Sequence, residues 1–343
     1  MILLTPTSTR LLIRPKHANN ESLRGYVSRV SNQNGSSPIL NTMLKSLKTT
    51  TNAIQEICKL TGCSESILKE HGAYTQSLDN KPARILFGNC VLSTGQVRVS
   101  RRNICPKCIA HKGISFCYWE LWDYDVCHVH GCYLVSHCSG CNCLLGWANS
   151  ISNRCACGVR FGDFDSEIAP TTRRLICELI ADAMTESIKR ADQWHGAADS
   201  LGPLNWLFIV SNFVLSILLP AFCQTHLGKI CAMNTNACEE LLLSVLEDAE
   251  YYNHLRKFIS LQTFRNQMTM SRALREGILN NKMRNSFLLH YRKIPLPNHI
   301  FKMKLDILKN AQMNSRRTTI FAMQTNAYKI GLRQIDSDST AYL

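Results

Sequence analysis

Ten of the chain's seventeen cysteines fall between Cys105 and Cys157, and no other stretch limits the possible folds so tightly. They come in ordered pairs: Cys105-Pro-Lys-Cys108, then Cys127-His128-Val129-His130, then Cys138-Ser-Gly-Cys141, and last Cys155-Ala-Cys157. Zinc takes four thiolate or imidazole ligands in a tetrahedron, and a CxxC or CxxH turn presents two of them at a suitable angle. The pairs therefore predict two structural zinc ions, one on Cys105, Cys108, Cys127 and His130, the other on Cys138, Cys141, Cys155 and Cys157. The one-residue spacing of the last pair is tight but feasible. His128 reads as a surface residue or a support behind the ligands; Cys132 and Cys143 read as spares, with Cys143 able to replace Cys141 if its turn shifts. A disulfide framework is the alternative, and a catalytic zinc a second one. The first suits an exported chain, whereas Met1 to Leu12 is a short apolar run broken by Pro6 without a cleavage-type site, so a cytoplasmic location is expected. The second needs an open coordination position and a general base, and both quartets read as closed.

The remaining cysteines, Cys58, Cys63, Cys90, Cys117, Cys177, Cys223, Cys231 and Cys238, read as small buried apolar residues. A formal net charge of +14 asks for a polyanionic partner. From Tyr251 to Arg317 there are fourteen Lys or Arg against Glu276 and Asp306 alone, so +12 of the charge is local. That excess exceeds what solubility requires, and nucleic acid is the expected partner. Candidate contacts are Arg98, Arg101 and Arg102 just ahead of the first ligand, then Arg272, Arg275, Lys282 and Arg284 on the polar side of an amphipathic helix, and Arg316 and Arg317.

Along the chain, Leu23, Tyr26, Val27 and Val30 fall at helical spacing before Asn34-Gly35, and Ile39 to Leu47 shows a second apolar pattern. Ile54 to Thr61, a turn at Gly62, and a helix capped by Ser64 give the outline of a helix-turn-helix. Its second helix offers only Lys69 as a cation, beside Glu65 and Glu70, so helix packing competes with major-groove reading. Residues 77–100, with Pro82 and Gly88, read as an extended connector. The aromatic run Tyr118, Trp119, Trp122 and Tyr124 reads as the small core of the metal module, with base stacking as the sharper alternative. Pro170 opens an ordinary packing helix. Leu204 to Phe222 is nearly long enough to span a membrane, but Asn205, Ser211, Asn212, Ser216 and Pro220 interrupt it and favour a buried helix; no membrane partner is expected. Helices are expected around Leu255–Phe264, Leu274–Tyr291 and His299–Ala311, with a weaker second helix-turn-helix near Arg316–Leu332. The fold expected is mostly α: an N-terminal helix-turn-helix domain over residues 1–100, a central tandem zinc-binding module of zinc-ribbon or zinc-finger type over 101–165, and a basic C-terminal helical domain over 166–343.

With these motifs in place, the chain resembles the TniQ family of transposition-targeting proteins, relatives of TnsD. The resemblance rests on Pro15, Glu21-Ser22-Leu23, Arg29 and Asn34-Gly35, on the Leu60-Thr61-Gly62 turn, and on the cysteine block with Trp119, Gly131, Leu134 and Gly158. It covers about the first 165 residues, and its cysteine block is the specific part. It implies an adaptor, not an enzyme: a protein that marks the insertion site, recruits the AAA+ ATPase TnsC and, in CRISPR-associated transposons, sits as a homodimer on an RNA-guided Cascade complex with its guide RNA. The chain length is nearer that type than the longer TnsD-like members, which read an attachment sequence themselves. The alternative reading is a self-sufficient TnsD-like DNA-binding protein or a zinc-containing transcription regulator. The lack of a clustered Asp/Asp/Glu pattern agrees with a role without catalysis, because strand transfer needs carboxylates to hold two metal ions.

Overall fold

The computed structural model describes residues 11–35, 51–71, 73–78, 81–87, 90–92, 96–98, 101–147, 150–151, 153–189, 203–218, 235–265 and 297–315. Helix α1 (Leu23–Gln33) forms where the apolar spacing places it, with the Ser22 hydroxyl accepting from the Gly25 N–H at 2.9 Å as its N-cap. Gly25 inside this helix looks costly, but a Cβ there would lie 3.0 Å from the Ser115 Cβ and 3.1 Å from its carbonyl oxygen. The helix crosses the metal-bearing part of the chain too closely for any side chain at that point. The apolar side of α1 meets α2 (Thr51–Thr61) and α3 (Glu65–Glu70) in a small core of Leu23, Tyr26, Val27, Val30, Ile54, Ile57 and Leu68, to which Trp147 adds its ring.

The α2–α3 pair turns at Gly62, whose φ of +72° favours glycine, and Ser64 caps α3 by accepting from the Ile67 N–H at 3.4 Å. The outline of helix, turn and helix is thus present. It does not identify a DNA-reading helix-turn-helix: α3 is six residues long, and its cation Lys69 is engaged with Glu65 at 2.6 Å.

Residues 77–100 are not a plain connector. A three-stranded antiparallel sheet, β1 (Ala73–Leu78), β2 (Lys81–Phe87) and β3 (Cys90–Leu92), occupies the region. Pro82 is tolerated in the middle strand because β3 pairs only with Ile85, Leu86 and Phe87, so at Pro82 the strand has one neighbour, next to a register shift between Gln76 and Leu78. Ile85, Phe87, Cys90 and Leu92 are buried.

From Arg101 the chain runs through α4 (Pro106–Lys112), the two-stranded pairs β4 (Val126–Cys127) with β5 (Cys132–Tyr133) and β6 (Ser150–Ile151) with β7 (Arg154–Cys155), and then into α5 (Thr171–Lys189). Helices α6 (Pro203–Leu218), α7 (Thr235–Glu247), α8 (Ala249–Arg265) and α9 (Asn298–Ser315) follow. One apolar cluster runs without a break from Ile85 through Trp119, Tyr124 and Phe161 to Ile180, Phe208, Leu242, Leu255 and Ile300. The aromatic run accordingly serves as core, with Trp122 alone among its rings partly exposed, at 37%. In α6, Leu204 and Phe208 are buried, and no helix among the described residues is long and apolar enough to cross a membrane. The expected patterns at Ile39–Leu47, Leu274–Tyr291 and Arg316–Leu332 lie outside the described residues, as do Arg272, Arg275, Lys282, Arg284, Arg316 and Arg317.

Candidate metal centres

Cys105 ends an extended segment as the N-cap of α4, Pro106 starts the helix, and the first turn brings Cys108 round beside Cys105. Across from them Cys127 sits in β4, and a turn through Gly131, at φ +61°, returns the chain to β5 with His130 at its tip. The His130 Nδ1 lies 3.2 Å from the Cys108 sulfur, 3.4 Å from that of Cys105 and 3.5 Å from that of Cys127, and the Cys108 and Cys127 sulfurs are 3.6 Å apart. Tetrahedral zinc with bonds of about 2.3 Å to sulfur separates its ligand atoms by about 3.8 Å, so the set has the dimensions of such a site. Electrostatics point the same way. Hydrogen bonds from Cys105 and Cys108 pull the Cys127 thiol down, while the neighbouring Cys108 and Cys127 push the Cys105 thiol up. Thiols this close give up one proton readily and hold the rest, a mismatch that a divalent cation resolves by replacing the protons.

The second set is Cys138, Cys141, Cys155 and Cys157. Its sulfurs lie 3.5 Å apart for Cys138 with Cys157 and 3.7 Å for Cys141 with Cys155. In each set all four ligand atoms fall within 4.8 Å of one another. Both quartets are thus arranged to chelate a metal ion, and they comprise the residues expected from spacing. The environments differ: in the first set the three cysteines are buried, whereas Cys141 and Cys157 of the second are exposed. Each set also has a fifth sulfur at hand. Cys132 is 3.7 Å from Cys105, and Cys143 is 3.3 Å from both Cys141 and Cys155. His128 is not among the gathered ligands; its Nδ1 is 2.7 Å from the Tyr124 hydroxyl and its carbonyl accepts from Arg174.

Of the three arginines ahead of Cys105, two require correction as surface phosphate contacts. Arg98 is buried, and its guanidinium donates to the carbonyls of Trp119, Leu121, Tyr124 and Trp122 at 3.2, 2.6, 2.9 and 2.8 Å. It organises the loop between the two halves of the first set. Arg102 is also buried; it donates to the Ser115 hydroxyl at 2.9 Å and the Asn153 side-chain oxygen at 3.1 Å, and lies against the rings of Trp147 and Phe161. Only Arg101 is exposed, with its guanidinium 5.8 Å from the Trp122 ring.

Two long-range ion pairs that sequence reasoning missed tie this region to its neighbours. Arg24 of α1 meets Glu120 in the aromatic turn, both nearly inaccessible, and Arg173 of α5 meets Asp125 at 2.7 Å while approaching Glu239 of α7 at 3.9 Å. Burial pushes the Glu120 carboxyl up, and the Arg24 charge pulls it back. No local pattern marks these residues, because each partner lies at least 48 positions away.

No curated protein matches the chain. Residues 12–134 match the TniQ family model. The match takes in α1, the α2–α3 pair, the sheet and all four ligands of the first set; the second set and everything after it lie beyond the TniQ-matched segment. TniQ-family proteins are non-catalytic adaptor and target-selection factors, which agrees with the expectation that this chain is not an enzyme. The CRISPR-associated kind of TniQ is not distinguished from others by the match.

Proposed function

We propose that this chain is a transposition target-selection adaptor, linking a target-recognising complex to the AAA+ regulator TnsC so that DNA is integrated at a chosen place. The observation that carries the reading is the TniQ match over residues 12–134, which ends only after the first ligand set is complete. The finer form is an adaptor for an RNA-guided Cascade complex, acting as a homodimer and touching DNA or guide RNA through its basic residues. The local excess of +12 between Tyr251 and Arg317 favours the nucleic-acid part of that reading. Both metal sites hold zinc, with Cys105, Cys108, Cys127 and His130 on one ion and Cys138, Cys141, Cys155 and Cys157 on the other. Thiolate-rich tetrahedral sets suit zinc, and four protein ligands leave no position for substrate, so both ions are structural. The division into an N-terminal part over 1–100, a metal module over 101–165 and a basic part over 166–343 is kept as a functional one, with the module as the joint.

The test is co-purification. Tagged chain should retain TnsC, and a guide-RNA complex should in turn retain the tagged chain. Loss of both associations at low salt contradicts the adaptor reading. Tight, partner-free binding to one duplex sequence would select the self-sufficient DNA-reading alternative instead.

A further inference from the structure

A cleft of about 520 Å³ opens between α1 and α4, with Asn153 on its wall. Its size is within the roughly 300–1,000 Å³ of ordinary ligand clefts. Its chemistry is lopsided. The lining carries Lys16, Arg29, Lys112 and Arg102, together with hydroxyls and side-chain amides such as Ser28 and Asn32, and no carboxylate. Arg29 is neutralised by the buried Glu21 behind it, at 2.8 and 2.6 Å. Lys16 and Lys112 differ: both are exposed. Arg102 lines the same cleft as a buried cation; burial lowers its pKa to about 10, which leaves it charged at neutral pH. Two exposed ammonium groups and a buried guanidinium lining one cleft focus a positive field into it. Hydroxyl and amide N–H donors stand beside them. The complementary ligand is a compact oxyanion with several acceptor oxygens.

We propose that this cleft is a phosphate-binding site, with Lys16 and Lys112 as the contacting cations and Arg102 as the buried charge in its lining. The phosphate belongs to a nucleic-acid backbone or to a small phosphorylated ligand; the recognition chemistry is shared. The site is composite. Lys16 precedes α1, Lys112 ends the helix that Cys105 caps and that carries Cys108, and Asn153, which fixes Arg102, precedes Cys155 and Cys157. The inference stands on the cleft itself and does not depend on the adaptor reading.

The experiment compares the full metal-loaded chain with Lys16→Gln/Lys112→Gln and with Lys59→Gln, an exposed lysine of α2 outside both the cleft and the basic segment. Fluorescence anisotropy follows short labelled oligonucleotides, single- and double-stranded, and phosphorus NMR follows inorganic pyrophosphate at matched ionic strength. For a backbone phosphate, the double variant should bind oligonucleotide about tenfold more weakly, with a salt slope lower by about 2, while Lys59→Gln stays near wild type. Loss of pyrophosphate binding alone, with oligonucleotide affinity unchanged, assigns the cleft to a small phosphorylated ligand. Equal behaviour of the double variant and wild type towards both probes overturns the proposal, as does an equal loss in Lys59→Gln. Metal content and thermal unfolding of each variant confirm that the fold is retained.

Discussion

Arg98 shows how a single residue can read one way in a sequence and act another way in a fold. An arginine-rich run ahead of a zinc ligand resembles a phosphate-binding surface, yet the guanidinium holds four carbonyls of the aromatic loop. Replacing it by lysine puts a point charge where a planar fork served several acceptors, and buried carbonyls lose their donors. Arg98→Lys should lower the unfolding free energy by about 3 kcal/mol, read from the urea midpoint of the metal-loaded chain. The metal ligands, in contrast, were legible one by one, because tetrahedral coordination forces short spacings into the sequence itself. The fifth sulfurs were legible only as spares. Cys143 lies close enough to Cys141 and Cys155 to join the second set, so Cys141→Ser should keep most of its second metal ion, whereas Cys138→Ser should lose it. Native mass spectrometry distinguishes the two. His17 supplies a pH dependence. Burial first, then the neighbouring His71 and Arg29, lower its pKa from 6.5 to about 4, so the fold favours the neutral ring; Glu21 opposes the shift through a hydrogen bond with the backbone. A histidine depressed in the folded state contributes stability that is present above pH 6.5 and is lost as the pH falls towards 4. The gap in melting temperature between wild type and His17→Phe should therefore change across that window and stay flat above it.

Among the elements, the helices were readable because apolar spacing, Ser caps and a glycine turn act locally: α1 and the α2–α3 pair form where Leu23, Ser64 and Gly62 place them. The sheet of residues 73–92 was not. Pro82 and Gly88 look like breakers, and only the pairing pattern reveals that β2 at Pro82 has a neighbour on one side alone. The docking of α1 on the metal module was also hidden, since Arg24 and Glu120 are 96 positions apart. That pair makes a sharp prediction. Arg24→Met leaves a buried carboxylate unpaired and should cost about 3–5 kcal/mol, while the double change Arg24→Met/Glu120→Met should recover most of the loss. Equilibrium unfolding of the two variants beside wild type gives the comparison, and an unchanged single variant would show that the pair does not hold α1 in place.

At the scale of the molecule, the two ligand sets are not an appendage between separate lobes. The apolar cluster that encloses Cys105, Cys108 and Cys127 continues into α5, α6, α7 and α8, and the ion pairs Arg24–Glu120 and Arg173–Asp125 join the same region to the helices before and after it. The proposed adaptor role requires faces held in fixed relation, and the described helices before and after the ligand sets are joined through this region. The continuity of this core is what sequence reading could not supply, because it depends on which faces of distant helices meet. The most direct test of the account is metal stoichiometry followed through chelation, with elemental analysis of the purified chain and near-ultraviolet circular dichroism of its buried tryptophans. The account predicts two zinc ions per chain and loss of the aromatic signal as a strong chelator removes them. A chain that binds no zinc, or keeps its full aromatic signal after both ions are gone, would contradict it.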